Sequence, residues 1–273
     1  MGRFDGILIC TDLDGTLYRN DKTISSENKE AIEYFKSEGG LFTFITGRMP
    51  YYSEQAYRAV GPNAPFGCVN GGGVYDGAEK RYVWTMPVAE GVFDLIESVD
   101  KALGQVGIQV CGFEKTYFSK ENETTVRFRQ ETGLPYLPRH YREVDEPVAK
   151  VLFCTDREEE LLEAEKILRA HPLADGFTFV RSAQDLFEIL PKGASKGLAL
   201  AKLTEYLGVD GRRTVVIGDY DNDVEMLRHA ALGVAVANAC PAAKAAANAV
   251  TVSNEAHAVA RLIRDMEKGV YRL

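Results

Sequence analysis

The sequence predicts an α/β protein: an open, Rossmann-like, doubly wound parallel sheet, interrupted by a smaller α+β module. Three observations carry this. Short apolar runs at residues 7–10, 41–45, 66–69 and 214–217 read as strands buried on both faces. Helical patterns alternate with them, and polar residues recur where the strands should end, as in open sheets that bind ligands at the carboxyl ends of their strands. Between about residues 84 and 190, short apolar segments follow in quick succession, which suggests a partly antiparallel sheet.

In chain order, the first strand runs into Asp12-Leu13-Asp14-Gly15-Thr16. If the extended backbone persists, both carboxylates point to one side, about 6.6 Å apart along the chain. Residues 17–24 then suggest a small hairpin flap around Arg19-Asn20-Asp21-Lys22. Ser25 or Ser26 caps a helix to about Glu38, stopped by Gly39-Gly40. The second strand ends in Thr46-Gly47-Arg48, and a helix from Pro50 to about Val60 follows. The third strand ends in Asn70-Gly71-Gly72-Gly73.

The middle of the chain reads as an insertion, residues 84–190. Helices are expected at 90–103, 123–132 and 157–170, and strands at 106–111, 116–119, 149–154, 177–181 and 186–190. The parallel pattern, begun over residues 1–83, resumes over 191–273. Ser195 caps a helix to Leu207, and the strand at 214–217 runs into Gly218-Asp219-Tyr220-Asp221-Asn222-Asp223. Helices at 224–231 and 241–247 and strands at 233–237 and 249–252 follow. Asn254 caps a last helix with Val259, Leu262, Ile263 and Met266 on one face.

Composition narrows the function. The 273 residues are 45% hydrophobic and 26% charged, with net charge −8. That balance disfavours nucleic acid and anionic membrane as partners, because phosphate backbones need a basic footprint. Five scattered cysteines, with no Cys-x-x-Cys pair, suit a reducing compartment, and four histidines show no zinc-ligand spacing. No apolar stretch reaches spanning length and no signal peptide precedes Ile7, so the expected location is cytoplasmic.

Four polar clusters sit at comparable places: Asp12/Asp14, Thr46/Gly47, Lys192/Lys196 and Asp219/Asn222/Asp223. Singly, each has a structural explanation: an acidic turn, a strand end, a solvated lysine, an N-capping acid. Together they suit phosphoryl transfer. A divalent cation bound by Asp12 and Asp219 would neutralise a carboxylate and a phosphate dianion, and hard oxygen ligands suit Mg2+. Lys196 and the Thr46 hydroxyl would hold the equatorial oxygens.

These motifs resemble the four motifs of the haloacid dehalogenase-like phosphohydrolase superfamily. The insertion, Asn70-Gly71-Gly72 and Pro191-Lys192-Gly193-Ala194-Ser195-Lys196-Gly197 resemble its Cof-type branch, subfamily IIB, whose C2-type cap folds over the site. The resemblance implies sheet order 3-2-1-4-5, a catalytic core of residues 1–83 and 191–273, and a C2B-type cap of 84–190. It implies that Asp12 attacks phosphorus to form an aspartyl phosphate. Asp14 then serves as acid and base, with its pKa raised by acidic neighbours. Mg2+ would be held by the Asp12 side chain, the Asp14 carbonyl and Asp219, with Asp223 acting through water or as support. Gly47, Arg48, Asn70, Gly71 and Asn222 would contact substrate. The cap residues Arg127, Arg129, Arg139, His140, Tyr141 and Arg142 read as a solvated basic edge or as contacts to a second phosphate. The implied activity is hydrolysis of a small phosphorylated metabolite, a sugar phosphate or phosphorylated cofactor. A phosphomutase, a receiver-like module storing phospho-aspartate and a catalytically silent binder are the alternatives. Oligomeric state is left open by the sequence.

Overall fold

A computed structural model describes residues 2–271. The chain opens with strand β1 (Leu8–Thr11), a tight turn over residues 13–17, helix α1 (Ser26–Ser37) and strand β2 (Leu41–Phe44). A 3-10 turn over Pro50–Tyr52 leads into α2 (Glu54–Val60), followed by β3 (Phe66–Cys68), β4 (Gly73–Asp76) and β5 (Arg81–Thr85). Next come α3 (Val92–Ala102), β6 (Gly107–Gly112), β7 (Thr116–Lys120), α4 (Glu123–Thr132), β8 (Val148–Cys154), α5 (Glu158–Ala170), β9 (Phe177–Ala183) and β10 (Leu186–Pro191). The chain closes with α6 (Lys196–Leu207), β11 (Thr214–Gly218), α7 (Val224–His229), β12 (Leu232–Ala235), α8 (Pro241–Ala246), β13 (Ala249–Val250) and α9 (Ala258–Glu267). Among the described residues, no helix is long and apolar enough to cross a membrane.

These elements form two compact units, one from residues up to Trp84 together with those from Ser195, the other Thr85–Ala194. The first is built on a parallel sheet of order β13-β12-β11-β1-β2, extended beyond β2 by a bridge from Ile45 to Gly67 of β3. With β3 counted, the order begins 3-2-1 and continues through β11 and β12, as the motifs imply. The central strands are apolar on both faces because both faces are covered: Leu8, Ile9, Cys10, Val215, Val216 and Ile217 are fully buried. Ser25 caps α1, accepting from the Asn28 amide, and α1 packs on α9.

The second unit is an antiparallel sheet of order β7-β6-β8-β10-β9. One face of that sheet and helices α3 and α5 enclose a core that includes Ile96, Val99, Val110, Val151, Phe153, Leu161, Leu168 and Ile189. Asn122 opens α4 with a reciprocal cap to Thr125, and Gly133 closes it.

Several expectations fail locally. No strand pair forms over residues 17–24; that loop closes through hydrogen bonds from the Arg19 amide to Thr23 O and from the Lys22 amide to Arg19 O. Asn254 does not cap α9. The helix begins only after His257, which sits in the left-handed region at φ +62°, and Asn254 Nδ2 donates to the Tyr18 carbonyl instead. Strands β4 and β5 were not anticipated: β5 is half-exposed, so no continuous apolar run marks it.

Candidate active site

The nucleophile candidate sits where the sheet keeps its register past the last strand residue. The Asp12 amide donates to Ile217 O at 2.9 Å, so its backbone stays aligned with β11 while its side chain leaves the sheet edge. Asp12 is 5% exposed and Lys196 1%. Lys196 is placed by the N-terminus of α6, which Ser195 caps by accepting from the Leu198 amide. Its ammonium donates to Asp12 Oδ1 at 2.5 Å and to Asp223 Oδ1 at 2.6 Å.

Asp223 also organises the turn after β11. Its Oδ2 accepts from the backbone amides of Asp219 and Tyr220 at 2.8 and 3.0 Å, which aims Asp219 at the same place. The Thr16 hydroxyl donates to Asp219 Oδ1 at 2.7 Å. Gly15 makes this approach possible: it lies at φ +81°, and a β-carbon there would stand 2.4 Å from Asp219 Oδ2.

Oxygens of Asp12, Asp219 and Asp223 lie within 4.8 Å of one another. Three carboxylates against the Lys196 ammonium leave negative charge uncompensated. Burial, with Asp223 and Asp219 nearby, pushes the Asp12 carboxyl well above its usual range despite Lys196. Burial, then Asp223, raises Asp219 to about 6. Lys196 stays charged: burial works against its ammonium, but Asp12 and Asp223 outweigh it and raise its pKa. An all-oxygen, electron-rich donor set of this kind fits a hard divalent cation.

Asp14 departs from expectation. Its carboxylate is not part of that cluster. It accepts from Arg48 Nε and Nη2 at 2.9 and 2.8 Å and from Lys22 Nζ at 2.9 Å. Burial alone would raise its pKa, but the guanidinium and ammonium lower it to about 2. The expected elevation by acidic neighbours is therefore wrong for this conformation, because two cations, not the acids, contact the carboxylate. Arg48, expected at substrate, is occupied with Asp14 and lies over the Tyr18 ring, 5.3 Å from its centroid.

The remaining expected residues converge on the same rim of the sheet. Thr46 is buried; its amide donates to Gly67 O and its hydroxyl accepts from the Arg48 amide at 3.2 Å. Asn222 donates to Asn70 Oδ1 at 3.0 Å, which joins two of the residues expected at substrate. A β-carbon on Gly47 would meet the Asn70 side chain at 2.8 Å. Gly71, at φ +98°, lets the turn after β3 lie against α6; a β-carbon there would stand 1.8 Å from Ser195 O. Lys192, in the second unit, donates to Asp175 O. In the second unit, Arg127 pairs with Asp156 and Asp185, Arg129 with Glu121, Arg139 with Asp145, and Arg142 with Asp94 and Glu97. Sequence reading missed Lys22 and the contact of Thr16. Only Thr16, inside the first motif, carried any signal.

The sequence profile of the haloacid dehalogenase-like hydrolase family matches residues 9–263. The chain belongs to this family. This haloacid dehalogenase-like hydrolase is 30% identical over 266 residues to 5-amino-6-(5-phospho-D-ribitylamino)uracil phosphatase YitU of Bacillus subtilis (strain 168), covering 94% of this chain and 96% of that one. It is 27% identical over 286 residues to phosphatase YwpJ of the same organism, covering 95% and 99%. A crystal structure of a haloacid dehalogenase-like hydrolase from Bacteroides thetaiotaomicron matches its fold with TM-score 0.85 at 24% identity, over 95% of this chain and 99% of that one. The hydrolase is accordingly an enzyme of the phosphatase type.

Proposed function

We propose that this hydrolase is a cytoplasmic, Mg2+-dependent phosphatase that cleaves a small phosphate monoester through an aspartyl phosphate on Asp12. The observation that carries the reading is the convergence of Asp12, Asp219 and Asp223, with Lys196 bonded to the first and the last of them and a second acid, Asp14, two residues after the first. The carboxylates of Asp12 and Asp219 and the Asp14 carbonyl would hold the cation, with Asp223 behind them. A bound Mg2+ supplies the positive charge that lets a carboxylate approach a phosphate dianion.

In the first step an Asp12 oxygen bonds to phosphorus as the bond to the leaving oxygen breaks, and Asp14 delivers a proton to that oxygen. In the second, water attacks phosphorus, its proton passes to Asp14, and the acyl phosphate releases Asp12. Thr46 and Lys196 hold the equatorial oxygens, and Asn70, Gly71, Gly47 and Asn222 shape the phosphate seat. Asp14 can carry a proton only after giving up Arg48 and Lys22. A substrate phosphate, which a guanidinium can also grip bidentately, is the natural competitor that frees it.

Substrate candidates are phosphorylated sugars and cofactor precursors, with the uracil ribityl phosphate in YitU's name first in line. The test is phosphate release from a panel of such esters with Mg2+, with Asp12→Asn as the blank. Turnover that needs Mg2+ and vanishes in the blank supports the reading. No turnover of any ester with Mg2+ bound overturns it.

A further inference from the structure

The loop between β1 and α1 carries the Asp14 carboxylate, the Thr16 hydroxyl that contacts Asp219, and Lys22. None of this loop is in a strand, so the sheet does not fix it. A distant part of the chain does. Asn238 Nδ2 donates to Gly15 O at 2.8 Å. Asn238 Oδ1 accepts from the Asn254 amide at 3.0 Å. Asn254, buried at 2% exposure, sends its own side-chain amide to Tyr18 O at 3.0 Å and to Asn20 Oδ1 at 3.1 Å. Glu255 closes the series, accepting from the Asn20 amide at 2.7 Å and from Arg19 Nε at 3.0 Å.

We propose that Asn238 and Asn254 are positioning residues that set the catalytic loop after β1 by holding the Gly15 and Tyr18 carbonyls. Gly15 is the flexible joint of that loop, at φ +81°, and glycine resists rotation less than any other residue. Fixing its carbonyl fixes the peptide that leads to Thr16, and hence the direction from which Thr16 reaches Asp219. Asn254 repeats the restraint three residues later. Asn238 is itself exposed, so its substitution removes little packing. It nevertheless commits both polar atoms of its side chain to backbone groups.

The kcat arm of the test rests on the phosphatase reading; the other two arms do not. Asn238→Ala removes both contacts, and Asn238→Asp keeps the acceptor for Asn254 but loses the donor to Gly15. Three quantities are measured on the full chain: Mn2+ dissociation constant by calorimetry, the Thr16 amide resonance in metal-free protein, and kcat and KM on p-nitrophenyl phosphate. Both variants should weaken Mn2+ binding or lower kcat by about tenfold, the range for groups that orient metal ligands, with KM nearly unchanged. The Thr16 resonance should shift, and the melting temperature should stay within a few degrees of the unaltered protein. Asn254→Asp should act in the same direction. Unchanged Mn2+ affinity and kcat overturn the proposal, as does a loss of both that only tracks a fall in melting temperature. If the unaltered protein turns over no ester, the phosphatase reading falls, and the Mn2+ and Thr16 arms still decide this one.

Discussion

Replacing Lys196 by methionine keeps most of the side-chain volume and removes one charge from the centre of the site. The ammonium is 1% exposed and bonds two carboxylates at 2.5 and 2.6 Å. Its loss leaves Asp12 and Asp223 buried without their shared cation. Breaking a buried pair from one side costs about 3–5 kcal/mol. For a protein of this size each kcal/mol moves the melting temperature by about 2–4 °C, so the metal-free variant should melt roughly 6–20 °C lower. Excess Mg2+ should stabilise Lys196→Met more than the unaltered protein, because the divalent ion then meets less repulsion. Thermal unfolding followed by circular dichroism, with chelator and with Mg2+ at matched ionic strength, reads both effects. A metal-free variant within about 1 kcal/mol of the unaltered protein would refute the assignment of Lys196 as the neutralising charge. So would equal stabilisation of the two proteins by Mg2+.

Asp12→Asn should abolish phosphate release from every substrate while leaving the fold intact, as checked by circular dichroism. Asp219, raised from 3.8 to about 6, binds a proton more tightly folded than unfolded, so metal-free stability should fall as pH rises through that window. Denaturant midpoints at several pH values, with and without Mg2+, test this; the slope should flatten when the ion is present. Asp14, lowered to about 2, carries the opposite sign: its stabilisation is complete above its ordinary 3.8 and is lost as pH falls through about 2. Carboxyl NMR resonances of the metal-free protein should show Asp14 without a titration step above pH about 4. Gly71→Ala should cost at least about 2 kcal/mol, since the new β-carbon meets Ser195 O at a backbone angle that strains alanine. Urea unfolding measures it.

What the sequence disclosed follows from one-dimensional rules. Buried parallel strands are short apolar runs, and the residues after them lie at one rim, so Asp12, Thr46, Asn70 and Asp219 could be brought together without coordinates. Ser195 and Lys196 were legible for the same reason, because a cap fixes where a helix begins. What stayed hidden depends on loops. Whether Asp14 meets acids or cations is decided by the path of residues 15–24, and Lys22 and Arg48 reach it from places that no period encodes. Asn254 shows the limit of cap reading: its side chain satisfies a distant carbonyl instead of its own helix. Strands β4 and β5 form a hairpin-like extension from β3 with half-exposed residues, and half-exposed strands leave no run of hydrophobics to find.

The central strand also dictates an order of events during synthesis. Leu8 pairs with Thr214, so β1 waits for nearly the whole chain before its second neighbour exists. Strands β6 to β10, by contrast, draw their partners from the one stretch 107–191 and can condense before β11 emerges. Until β11 emerges, β1 has an unpaired edge and an apolar surface, and a nascent chain stalled in that interval is the form most exposed to aggregation and to chaperones.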